Sequence, residues 1–192
     1  MRIPNQRMES DACTSRRSFI EADGRTLFDI RSSEERDGLE AASAQKALVA
    51  DRERERLANR LWTAFAADPL EDGMSHPAEE IIGEALRSME DKPVLDWFRT
   101  FSLDAERPSF AASVLRCLGR QTPPGTDSWR AELVRDGLAV DDVEIRDAAV
   151  QAAESWGDRS LADVMKAHRE AEPWLREYIE NVINPKGSVP SA

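Results

Sequence analysis

From Asp141 onward, apolar residues fall at Ile145, Ala148, Ala149, Ala152 and Trp156, with polar residues between them. This is the i, i+3, i+4, i+7, i+11 stripe of a helix that buries one face. Trp156-Gly157-Asp158 interrupts the stripe, and Ser160-x-x-Asp163 reads as the start of the next helix. After 30 residues, the motif Ile145-Arg146-Asp147-Ala148-Ala149 returns as Leu175-Arg176-Glu177-Tyr178-Ile179, with its apolar and arginine positions kept. The same texture extends upstream. Residues 77–89 carry Ile81, Ile82, Ala85, Leu86 and Met89, and 93–103 carry Val94, Trp97, Phe98 and Phe101. Residues 108–118 carry Phe110, Ala111, Val114, Leu115 and Leu118, with Gly119 placed to cap them. A Pro-Pro-Gly loop then leads to Asp127 as an N-cap and to a helix ending near Ala139. Helices over 144–156, 160–170 and 173–184 complete the array. Pro77, Pro93, Pro108 and Pro173 all stand where a first helical turn tolerates proline.

Short helix pairs recurring at this period predict an all-α, right-handed solenoid of about three antiparallel pairs, in which each pair buries its face only against its neighbours. The predicted repeat domain is 76–184, and 185–192 is a flexible tail. Ahead of it, Ser32-Ser33-Glu34-Glu35 fits a capping box, with Ser32 as N-cap of a helical extension over 33–67. The middle of that helix, Asp51-Arg52-Glu53-Arg54-Glu55-Arg56, is a solvated charge run with i,i+3 pairs. Its end, Leu57, Leu61, Trp62 and Phe65, is an apolar stripe able to dock on the following helices. Along the whole helix, Leu39, Ala42, Leu48, Leu57, Leu61 and Phe65 offer a second binding mode, within the chain or to another copy, although the charged middle breaks a long coiled-coil period. Pro69 and Gly73 mark a linker at 66–75. Residues 1–32 show no sustained period and read as disordered.

The motif Asp142-x-x-Ile145-Arg146-x-Ala148-Ala149, followed by Trp156-Gly157-Asp158-x-x-Leu161-Ala162, resembles a HEAT repeat. In that family an aspartate opens the unit, an aliphatic–Arg pair follows, small residues pack the seam and Gly-Asp makes the turn. The resemblance covers 141–184 best and weakens upstream, where the helix at 108 lacks the aliphatic–Arg element. It implies a scaffold or binding module whose second helices line a concave face. A few such arrays act on nucleic acid.

Composition refines this picture. The net charge is −11, yet residues 1–60 hold twelve basic and twelve acidic residues, so the whole excess falls on 61–192. An acidic field repels phosphate backbones and steers basic partners. No stretch is long and apolar enough to cross a bilayer, and the N-terminus lacks the apolar core of a secretory signal. Two cysteines in unrelated contexts, Cys13 and Cys117, point to a reducing cytoplasm.

Candidate chemistry is sparse. His76 near Glu79 and Glu80, and His168 four residues before Glu172, have metal-ligand spacing, but no further ligand completes either site. His76 reads as a helix cap. Cys117 shares the Leu115/Leu118 face and reads as a small buried hydrophobe. No phosphate loop, nucleophile elbow or Cys-x-x-Cys is present, so no catalytic, metal or cofactor residue is named. The five tryptophans, Trp62, Trp97, Trp129, Trp156 and Trp174, fall about one per pair and suit inter-helix seams. Trp97 and Trp129, with Arg99, Arg135, Lys166 and Arg169, lie on the second helices and are the candidate partner contacts. The function expected from the sequence is non-enzymatic protein binding, as an adaptor or as an immunity- or antitoxin-like inhibitor of a basic partner. The alternatives are an enzyme using the groove, marked by a carboxylate of raised pKa, and a structural subunit with apolar patches at both ends.

Overall fold

The computed structural model describes residues 27–71, 73–88 and 93–185, and among them every regular element is an α-helix. These are α1 (Leu27–Ala67), α2 (Pro77–Arg87), α3 (Val94–Ser102), α4 (Pro108–Gly119), α5 (Asp127–Leu138), α6 (Val143–Trp156), α7 (Arg159–Ala167) and α8 (Pro173–Ile183). The expectations for 1–26, Met89 and 186–192 lie outside the described residues.

The chain divides into two compact units, residues 1–48 and 49–192. In the first, α1 is already helical at Leu27, so Ser32 falls inside the helix and not at its N-cap. A serine weakens a helix by only about half a kcal/mol relative to alanine, too little to stop one. From Gly38 to Leu48 this helix is exposed, with Leu39 72% and Leu48 54% accessible. Its alanines favour the helix by propensity more than by burial.

The second unit begins at Val49, well before the expected boundary at 76. The reason is packing: Leu57 and Leu61 belong to the same buried cluster as Ile82 and Phe98. Fully burying a leucine is worth roughly 2 kcal/mol, which fastens the end of α1 across the 66–75 segment. Aromatic rings complete this dock. Phe110 meets Trp62 at 5.6 Å, Phe65 at 6.0 Å and Phe101 at 6.2 Å between centroids.

From α2 onward, helices pack on their second neighbours. One row runs α2, α4, α6, α8, and the other runs α3, α5, α7. The α4–α6 interface is the most extensive, because small residues let the two backbones close in. A Cβ on Gly119 would lie 2.8 Å from the Cα of Ala152, and across the α5–α6 interface one on Gly137 would lie 2.9 Å from the Cβ of Ala149. Gly119 is therefore a close-approach residue within α4, and the C-cap is Arg120.

Helix ends follow the expected chemistry with small shifts. Asp142 caps α6 by accepting from the Glu144 and Ile145 N–H groups at 2.9 and 3.4 Å. Gly157 ends that helix at φ 66°, the left-handed conformation that suits glycine. Thr126 and Asp158, not Asp127 and Ser160, hold the N-cap positions of α5 and α7. Asp127 and Asp158 instead turn to the buried guanidinium of Arg130. Pro93 occupies the N-cap of α3, one residue before its first turn.

Candidate functional site

The second row, α3, α5 and α7, carries all six expected contacts except Arg169, which follows α7. Their environments differ. Trp97 is 7% accessible and belongs to the core, so its indole offers no surface. Arg99 reaches from α3 to α5, where it pairs with Glu132 at 3.3 Å and with Asp136, and is spent on that inter-helix tie. Trp129 is partly buried, with an indole N–H lacking an acceptor among the described residues. Lys166 is exposed and paired with Asp163 at 3.1 Å. Arg135 and Arg169 are exposed.

Of these, the structure sets Arg135 at a cleft of about 550 Å³ between α5 and α7. α5 supplies Ala131, Arg135 and Leu138 at i, i+4, i+7, and α7 supplies Ser160, Val164 and Ala167 at the same spacing. Two short stripes, mainly small and apolar but with Arg135 and Ser160 among them, face one another across a groove open to solvent. The α7 stripe escaped the sequence reading because its residues are small or polar, whereas Leu161 and Met165 carry the strong signal of the buried face.

One wall of the site is anchored by a buried ion pair. Glu170 is 7% accessible and sits just after His168, which lines the cleft. Arg146 donates to both its carboxylate oxygens, at 2.9 and 3.1 Å, and also to the Val140 and Asp141 carbonyls. The Glu172 N–H donates to the same carboxylate at 2.9 Å, and His168 Nε2 lies 3.1 Å from it. Burial alone would raise the Glu170 pKa, but these hydrogen bonds and the Arg146 charge outweigh it and bring it down to about 2. The arginine of the aliphatic–Arg pair seen in the sequence therefore ties α6 to the α5–α6 turn that precedes it and to the α7–α8 turn. His168 turns to Glu170, not to Glu172 as its spacing suggested.

The other suspected chemistry resolves into structure. His76 is the N-cap of α2, where its Nδ1 accepts from the Ala78 N–H at 3.1 Å. Its Nε2 must then carry the proton, which it donates to the Asp68 carbonyl at 2.8 Å. Both ring nitrogens are in use. Among the described residues no group of three or more His, Cys, Asp or Glu side chains is placed to hold a metal ion. Cys117 is buried, and burial first, then the Glu79 charge, pushes its thiol up to about 12. Such a thiol stays protonated and inert at neutral pH.

A second groove, of about 570 Å³, crosses α4, α6 and α8 and is lined by Arg116, Arg120, Gln151, Glu154 and Tyr178. Its charges are already matched. Arg116 pairs with Asp147 at 3.1 Å, Arg120 with Glu79, and the Tyr178 hydroxyl donates to Glu154. Trp156 is 8% accessible and donates from Nε1 to the Gln121 carbonyl at 2.8 Å, as a seam residue should. Trp62 and Trp174 are half exposed, at 51% and 52%. No helix is long and apolar enough to cross a membrane among the described residues. The chain matches no protein-family model, no curated protein and no solved structure.

Proposed function

We propose that residues 76–184 form a HEAT-like, right-handed solenoid that binds another protein through its second-helix row. Packing of each helix on its second neighbour supports the solenoid reading. The observation that carries the functional reading is the open α5–α7 cleft, with its apolar stripes and Arg135 at its edge. Such a groove between paired helices suits an inserted partner helix. The chain-wide charge of −11 favours a basic partner at long range, through faster encounter more than through tighter contact. An inhibitor covering a cationic protein is one form this takes. The catalytic alternative gains no support from Glu170 or Cys117, whose pKa values move away from those a general acid or a nucleophile needs.

Affinity capture of the tagged full chain from its native lysate, at low and high salt and beside the cleft variant Val164→Arg, tests the reading. A protein captured by the wild type and lost with Val164→Arg bears it out. Capture that ignores this substitution moves the interface elsewhere, and enrichment of nucleic acid or a small molecule favours the enzyme reading.

A structural-subunit reading has its own observation. Trp62 on α1 and Trp174 on α8 expose about half their surface. Large exposed indoles near both ends of the array suit contacts within a longer assembly. Sedimentation of wild type and Trp174→Ser separates this reading from the first, since an adaptor keeps its size and a subunit loses a higher species.

A further inference from the structure

The α5–α7 cleft has a charge balance opposite to that of the chain. Three charged or titratable side chains line it besides its apolar stripes. Asp163 is matched by Lys166 at 3.1 Å, and His168 is held by Glu170 at 3.1 Å. Arg135 has no hydrogen-bond or ion-pair partner among the described residues, and neither does Arg169, next to His168. In a protein with eleven excess negative charges, the uncompensated charge at this groove is positive.

Resting on the protein-binding reading above, we propose that the cleft seats an amphipathic helix of the partner, with a carboxylate against Arg135. The partner's apolar residues at i and i+4 would lie along Ala131, Val164 and Ala167, where small side chains admit a third helix at close range. A guanidinium fork takes a carboxylate in two parallel hydrogen bonds, which fixes the register of the incoming helix. α7 is nine residues long, about 14 Å, so the cleft reads two to three turns of the partner. The anchor acts at short range. Overall charge governs the approach of the partner, and at physiological salt that field is screened beyond about 8 Å. A basic partner with one acidic, amphipathic helix satisfies both.

The test is a titration of the isotope-labelled full chain with a blocked, Leu-rich helical peptide of about 15 residues. One peptide carries Glu beside its apolar stripe, and two relatives carry Gln or Lys there. The expected amide shifts centre on Ala131, Leu138, Val164 and Ala167. The expected affinity order is Glu, then Gln, then Lys, each step roughly threefold to fivefold for a pair at a solvated edge. Arg135→Glu, an exposed change, should invert that order. Shifts elsewhere, no binding, or an order indifferent to Arg135→Glu would overturn the proposal. If Val164→Arg still releases the captured protein while Arg135→Glu leaves the peptide order unchanged, the protein-binding reading stands and the acidic anchor fails.

Discussion

Replacing Arg146 by Met would strand the Glu170 carboxylate. The side chain of Glu170 is 2% accessible, and Arg146 supplies two of its hydrogen bonds. Removing one partner of a buried pair costs about 3 to 5 kcal/mol, because the remaining charge cannot regain its hydration. Linkage gives a similar figure. Lowering the pKa from 4.5 to about 2 corresponds to about 3 kcal/mol of stabilisation at neutral pH. Urea unfolding followed by tryptophan fluorescence should show it. With a slope of roughly 2 kcal/mol per molar urea, the midpoint falls by about 1.5 M. The pH dependence is the sharper check. Because the folded-state pKa is depressed, the stabilisation is complete above about pH 4.5 and is lost as pH falls towards 2. Wild type and Arg146→Met should therefore converge on acidification, with more than half of the gap closed by about pH 3. Adding Glu170→Leu to the Met variant should recover part of the loss at pH 7, since no buried charge is then left unpaired. A gap below 1 kcal/mol, or one equally wide at pH 7 and pH 3, would refute the reasoning.

Gly119→Ala should destabilise by about 1 to 3 kcal/mol despite its better helix propensity, since its new Cβ meets the α6 backbone. Gly83→Ala meets only flexible Gln121 and Arg87 side-chain ends and should raise stability by about 0.5 to 1 kcal/mol. Paired thermal melts check both. His76→Ala removes the α2 cap and the link to Asp68, and chemical denaturation should register a loss of about 1 to 2 kcal/mol. In a Cys13→Ser background, Cys117 should react with a disulfide reagent only in denaturant, and fast labelling of the native protein would contradict its burial.

Helix positions and buried faces were legible because they depend on local spacing. Ile145, Ala148, Ala149 and Ala152 all lie at 0% accessibility, as their stripe predicts. Pro77, Pro108, Pro173 and Gly157 marked ends correctly, since φ restriction and left-handed geometry act within a residue or two. Serine and aspartate were less dependable. Ser32 lies within α1, Asp127 engages Arg130 and not its own helix end, and Asp158 stands at the N-cap of α7 in place of Ser160. A side-chain oxygen caps a helix only when no stronger partner competes for it. Trp97 also shows the limit of the pattern. Its place on a second helix was visible, but its burial in the core was not.

The sequence by itself determined that this chain is helical, where the helices from α2 onward begin and end to within a few residues, and which face of most of them turns inward. Those properties follow from backbone hydrogen bonding and side-chain periodicity, both short-range. The tertiary structure decided which distant groups meet. It joined Arg146 to Glu170, set Gly119 against Ala152, consumed Arg99 and Lys166 in ion pairs, and left Arg135 open beside an apolar cleft. Whether a charge is spent or available depends on which helices become neighbours, and short-range periodicity does not specify that.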